Sequence, residues 1–178
     1  MTGTVYSIGH GTATAEEFTR TLTDAGVRLL TDIRSAPGSR RNPQFGQSAL
    51  RDTLAAAGIE YVHLPGLGGR RAPRRDSPHP SGLRVAAFRG YADHMASDEF
   101  AADLARLEEF ARLTPSAFMC AETLWWQCHR RLIAELLHAR GHDVVHLLRP
   151  GHSDRHRLWE PISVTRDGVL YLCGERVA

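Results

Sequence analysis

Residues 117–131, Ala-Phe-Met-Cys-Ala-Glu-Thr-Leu-Trp-Trp-Gln-Cys-His-Arg-Arg, hold the densest reactive chemistry in the chain. An apolar run ends in Cys120 and Glu122, a short loop carries Trp125 and Trp126, and Cys128, His129, Arg130 and Arg131 then open an amphipathic helix. A helix N-terminus presents unpaired N–H groups and a positive dipole end, which favour an anion or a thiolate. Cys128 is therefore the candidate nucleophile, because His129 and the two arginines beside it also lower a thiol pKa. Cys120, at the end of an apolar strand, reads as a small buried hydrophobe, and a carboxylate at Glu122 would disfavour its thiolate. Cys173, in a terminal strand, reads as inert. Cys120, Cys128, His129 and His10 are the residue types of a soft-metal site. However, Cys-x7-Cys-His is neither a ribbon nor a finger spacing, and adjacent Cys128 and His129 on a helix are awkward ligands for one ion. No metal or other cofactor is expected.

These groups need a frame. Val5–Ile8 reads as a buried strand ending in the Gly9-His10-Gly11 turn, and Thr14 with Glu17 fits a capping box. Phe18, Leu22 and Ala25 recur at helical spacing up to Gly26. Val27–Ile33 is a second strand, residues 34–46 a polar loop, Ser48–Ala57 a helix, and Ile59–Leu64 a third strand. Residues 66–82 form a long Gly-, Pro- and Arg-rich loop, a candidate lid. Helices are expected over Val85–Met95 and Ser97–Leu113, a strand over Ala117–Cys120, a helix from Cys128 to Gly141, and a strand over Asp143–Leu148. Arg149–Trp159 reads as a polar loop. Asp167-Gly168 between Ile162–Val164 and Val169–Leu172 marks a terminal hairpin within residues 160–174.

Alternating strands and helices predict one α/β domain over residues 1–178: a mainly parallel sheet flanked by helices, with a C-terminal β-hairpin. In such sheets ligands sit beyond the carboxyl ends of the strands. His10 follows strand one. Asp32, Arg34 and Ser35 follow strand two, His63 ends strand three, and Cys120 and Glu122 end strand four. Each has a plainer reading. His10 could be a turn histidine bonded to a nearby carbonyl, Asp32 and Arg34 a structural ion pair, and His63 a satisfied core group. Arg40 and Arg41 could be a solvated basic loop. Trp125 and Trp126 could stack on a base or seal the sheet edge.

Composition narrows the classes. At 178 residues and 42% apolar, the chain can bury a core without staples. No apolar run approaches a membrane span, and Met1–Thr4 does not open a signal peptide. Three cysteines, an odd number, argue against a disulfide scaffold and for a reducing cytoplasm. All 22 basic residues are arginine. Lysine chemistry is thus excluded, and basic recognition falls to guanidinium groups suited to phosphate or carboxylate. A net charge of +2 does not by itself indicate nucleic acid.

Read in order, Ser7-Ile8-Gly9-His10, Asp32-Ile33-Arg34-Ser35, Arg40-Arg41-Asn42-Pro43-Gln44-Phe45, Tyr61-Val62-His63-Leu64-Pro65, Leu67-Gly68-Gly69, Met119-Cys120-Ala121-Glu122 and Cys128-His129-Arg130 form a recognisable set. On these residues the chain resembles the bacterial family called domain of unknown function 488, over roughly residues 5–148. The resemblance implies an α/β fold and an ordered set of pocket residues. It implies no activity. Thr123-Leu124-Trp125-Trp126-Gln127 departs from the Lys-Asp-Pro type of loop found in relatives, so ligand contacts there would differ.

The expected function is a pocket for a phosphate- or carboxylate-bearing small ligand, such as a nucleotide. Asp32, Arg34, Ser35, Arg40, Arg41, Cys120, Trp125, His129 and Arg130 would bind it, and Cys128, His10, Glu122 and His63 would do thiol or acid–base chemistry. The clustering favours an enzyme over an interaction domain. Two alternatives use the same residues: a nucleic-acid-binding or processing protein, supported by arginines 70–84 and the paired tryptophans, and a metal-dependent enzyme built on the Cys/His cluster.

Overall fold

A computed structural model describes residues 3–38, 40–72 and 85–158, together with the backbone of 162–165, 168–171 and 175–176. The chain runs β1 (Thr4–Gly9), α1 (Ala15–Asp24), β2 (Leu29–Asp32), α2 (Gln47–Ala56), β3 (Glu60–His63), α3 (Ala86–Met95), α4 (Asp98–Leu113), β4 (Ser116–Cys120), α5 (Arg130–Ala139), β5 (Asp143–Arg149) and β6 (His152–Arg155). β7 (Ile162–Thr165), β8 (Gly168–Tyr171) and β9 (Glu175–Arg176) follow. Short 3-10 turns occupy Pro43–Phe45, Pro65–Leu67 and Trp125–Gln127.

The main sheet has the order β3-β2-β4-β1-β5-β6. The first five strands are parallel, and β6 returns antiparallel along β5. The fold is thus α/β with a mainly parallel sheet. β7 and β8 pair antiparallel with Thr165 opposite Gly168, the expected terminal hairpin, and β9 extends it into a separate three-stranded sheet. The segment Arg149–Trp159 departs from the loop expectation. His152–Arg155 lacks apolar alternation and carries no strand signal of its own; the parallel edge of β5 templates it through backbone pairing.

Alternation along β4 explains the layering. Ala117 and Met119 face a core with Phe18, Leu22, Leu50 and Leu54 of α1 and α2. Phe118 and Cys120 face the opposite core, with Leu104, Leu107, Leu132 and Ile133 of α4 and α5. Helices therefore cover both faces. α1 starts with a complete capping box: Thr14 accepts from the Glu17 amide at 3.1 Å, and the Glu17 carboxylate accepts from the Thr14 amide. The chain places β2 and β3 to one side of β1, inserts β4 between β1 and β2, and sends β5 to the other side. That reversal opens a crevice at the carboxyl ends of β1, β2 and β4.

Candidate active site

The crevice is a cavity of about 460 Å³, lined by His10 and Gly11 after β1, by the loop after β2 (Arg34, Ser35, Ala36, Gly38, Asn42), by Gly69 and Arg70, by Ala87 and Phe88 of α3, and by Cys120, Ala121, Glu122, Gln127, Cys128 and His129. Backbone hydrogen bonds fix the floor. The His10 amide donates to the Cys120 carbonyl, Gly11 to Ala121, and Ile33 to Met119, so three strand ends are bonded edge to edge.

The two cysteines meet at the deep end. Cys120 Sγ and Cys128 Sγ are 2.8 Å apart, and both residues are buried. Each sulfur accepts a backbone N–H from two residues ahead: Cys120 from Glu122 at 3.4 Å and Cys128 from Arg130 at 3.5 Å. His129 Nδ1 lies 3.4 Å from Cys128 Sγ. Burial, followed by the hydrogen bond to Cys128, raises the Cys120 thiol well above its ordinary value. Burial also pushes Cys128 upward, but the hydrogen bonds from Cys120 and His129 and the charges of His129 and Arg130 outweigh it and hold that thiol far below its ordinary value. The two thiols are thus shifted in opposite directions, Cys120 up and Cys128 down. Burial and Cys128 protect the Cys120 proton, whereas the expectation had assigned that effect to the Glu122 carboxylate; the Glu122 amide acts in the opposite direction.

The helix begins at Arg130, two residues later than the sequence pattern placed it, because Trp125–Gln127 takes up a 3-10 turn and Cys128 is extended (φ −117°, ψ 153°). Cys128 thus lies outside the helix, with its Sγ 3.4 Å from His129 Nδ1. Cys120, Cys128 and His129 then place their donor atoms within 4.8 Å of one another, a grouping that could accept a soft cation. The objection drawn from spacing assumed that both residues sit on the helix, which starts only at Arg130.

His129 is held by its surroundings. The Tyr91 ring lies 5.1 Å from it, and an added Cβ at Gly69 would overlap its ring. The segment carrying Gly69 is itself tied to α3 and α4. The Gly66 amide donates to Asp103, the Tyr91 hydroxyl donates to the Leu67 carbonyl, and His94 Nε2 donates to the Gly66 carbonyl.

Arg130 is the staple of the thiol loop. It is 1% exposed, and it donates to Ser7 Oγ (3.3 Å), the Glu122 carbonyl (2.5 Å) and the Thr123 carbonyl (3.3 Å). Gly9 gives it room, since a Cβ there would overlap the Glu122 carbonyl and lie 2.6 Å from Arg130 Nη2. Arg130 therefore supports the cavity from behind; it is not among the residues that line it.

His10 fits both of its readings. Nδ1 donates to the Gly11 carbonyl at 3.1 Å, the ring stacks on Phe45 at 4.3 Å, and the residue lines the cavity. Nε2 is then the lone-pair nitrogen, buried and without a hydrogen-bond partner among the described residues. Burial holds its pKa below the ordinary value, which keeps it a neutral base. Asp32 is fully buried and grips Arg34 through Nε and Nη2, at 2.9 and 2.6 Å, while accepting from the Tyr61 hydroxyl at 2.7 Å. The pair is structural, and it also aims Arg34 at the cavity wall.

His63 donates from Nε2 to the Arg34 carbonyl at 2.7 Å and does not line the cavity. It positions the β2 loop. Ser35 and Glu122 are exposed on the lining. Arg40 and Arg41 are exposed beyond it, and Trp125 stacks on His146 at 3.9 Å instead of facing the cavity, with Trp126 43% exposed beside it. Arg70 lines the cavity, whereas Arg74, Arg75 and Arg84, with most of the candidate lid, lie outside the described residues, as does Cys173. Among the described residues, no helix is long and apolar enough to cross a membrane.

Sequence reasoning gave no role to Phe45, Tyr61, Tyr91 or the buried His146–His156–Glu135 group. His146 Nε2 and His156 Nδ1 are 3.0 Å apart, and His156 lies 3.4 Å from Glu135. Phe45 and Tyr61 stand in the ordered motifs already noted. His146 and Glu135 show up in the sequence only as polar positions in otherwise buried elements.

Residues 14–137 match the family described as Domain of unknown function DUF488. No curated protein and no solved structure matches the chain.

Proposed function

The chain belongs to the DUF488 family, whose activity its name leaves open, and on that premise we propose that it is an enzyme acting on a small phosphate- or carboxylate-bearing ligand. The observation that carries this reading is that Cys128, His10, Arg34 and Arg70 line one cavity. Its volume, about 460 Å³, suits a sugar phosphate or a mononucleotide. Arg34, pre-aimed by Asp32, and Arg70 offer guanidinium groups to an oxyanion. Cys128 is the nucleophile, with its charge supported by the Cys120 thiol, His129 and the first amide of α5. His10 Nε2 takes or returns the proton. Ser35 and Glu122 line the same space and contribute polar contacts to the ligand.

Thermal unfolding with inorganic phosphate, nucleoside monophosphates, sugar phosphates and short carboxylates tests the reading. A ligand at about 100 times its Kd adds about 2.7 kcal/mol, a shift of several degrees. At least one of these anions is expected to raise the melting temperature of the wild type, and Arg34→Gln is expected to abolish that rise. An unchanged melting temperature across the whole panel would refute the reading.

A further inference from the structure

Cys120 and Cys128 are not explained by anion binding alone. A nucleophilic thiol needs a base or a positive neighbour, and His129 and Arg130 supply both. It does not need a second sulfur pressed against it inside ordinary van der Waals contact. We propose that Cys120 and Cys128 are a redox pair: Cys128 is oxidised by a hydroperoxide that enters the cavity, and Cys120 resolves the product to an intramolecular disulfide. This rests on the reading of Cys128 as the nucleophile of the cavity, and gives the same thiol a second class of substrate.

Three observations carry it. The sulfurs are 2.8 Å apart, so closure to a bond of about 2.05 Å requires less than 1 Å of movement. Both residues line the cavity, which gives a small oxidant access. Arg130, two residues beyond Cys128, holds the carbonyls of Glu122 and Thr123 just after Cys120, so the two ends of the intervening loop are tied together. The roles are unequal: Cys128 Sγ lies 3.4 Å from His129 Nδ1 and accepts the first amide of α5, and these neighbours lower its thiol, whereas burial raises that of Cys120 at the end of β4.

The steps balance. The Cys128 thiolate attacks the distal oxygen of the hydroperoxide. The S–O bond forms, the O–O bond breaks, and the departing alkoxide takes a proton from water. Cys120 Sγ then attacks the sulfenic sulfur. The S–S bond forms, the S–O bond breaks, and hydroxide leaves with the Cys120 proton as water. Two thiol sulfurs are oxidised by two electrons in total, the hydroperoxide is reduced to an alcohol and water, and an external dithiol returns the pair to the reduced state.

The test uses the full-length reduced protein with one equivalent of hydrogen peroxide, followed by intact-mass and peptide-mass analysis. The expected product has lost two hydrogens and carries a Cys120–Cys128 linked peptide. Cys120→Ser is expected to stop at a Cys128 sulfenic acid that dimedone captures. Cys128→Ser is expected to consume peroxide at least about tenfold more slowly than wild type. Circular dichroism checks that both variants fold; if either does not, the wild-type linkage alone decides. Iodoacetamide on the native reduced protein runs in parallel. Alkylation of Cys128 without a peroxide-induced linkage would overturn the redox pair and leave the nucleophile reading standing, and failure of both would overturn both. A linkage that maps to Cys173 or between chains would overturn the pair. So would freshly purified protein that holds one equivalent of zinc on thiols that resist peroxide.

Discussion

Replacing Arg130 by methionine isolates what the buried guanidinium does. Arg130 is among the largest fully buried side chains of the described residues, and it donates to Ser7 Oγ, the Glu122 carbonyl and the Thr123 carbonyl. Methionine fills part of the volume but leaves those three acceptors without their donor. A hydrogen bond from a charged group contributes about 1.5–3 kcal/mol, and removing one partner of a buried polar set costs about 3–5 kcal/mol. The expected loss is therefore about 3–5 kcal/mol, read as the change in unfolding free energy from urea titration. For a domain of this size that lowers the melting temperature by about 6–20 °C. Arg130→Lys keeps the charge but presents a single ammonium where the fork reached two separate elements, so it should fall between wild type and Arg130→Met. The same variants report on the thiol. Arg130 is one of the charges that lower Cys128, so methionine should raise the Cys128 pKa while lysine largely preserves it. A loss under about 1 kcal/mol for Arg130→Met, with unchanged Cys128 reactivity, would refute the claim that this side chain holds the loop and tunes the sulfur.

Two further outcomes test separate links. Because the folded Cys128 thiol lies far below its ordinary value, its alkylation by iodoacetamide should change less than about threefold between about pH 5 and about pH 8, whereas a free cysteine changes almost a thousandfold; reactivity is lost only as the pH falls through the depressed pKa, and a profile that tracks free cysteine would contradict the geometry. Thr14→Ala removes the side-chain acceptor for the Glu17 amide and should lower stability by about 1 kcal/mol in urea unfolding, with no change in peroxide reactivity at the distant thiols.

Much of the frame could be read from residue order, because local chemistry enforces it. The Thr14–Glu17 box starts α1 where the pattern placed it, and Gly26 and Gly58 adopt positive φ just beyond the helices they follow. Strand 116–120, apolar from Ala117 to Cys120, is buried at every position, as a central parallel strand requires. His152–Arg155 was not legible, since its pairing depends on the β5 edge and not on its own side chains. The start of α5 was misplaced because helical spacing in Cys128–Arg131 competes with a 3-10 turn that only the packed loop stabilises.

Residue types and strand ends alone determined which groups meet at the sheet's carboxyl edge: His10, Arg34, Cys120, Glu122 and Cys128 follow successive strands, and parallel topology gathers such ends. Tertiary packing decided what each of them does there. Burial raises both thiols and neighbours reverse that at Cys128 alone, Asp32 takes hold of Arg34, the Arg34 carbonyl occupies His63, and Arg130 is buried behind the loop and does not line the cavity. Proton affinity and hydrogen-bond partnership are properties of surroundings assembled from distant parts of the chain, so no local pattern encodes them.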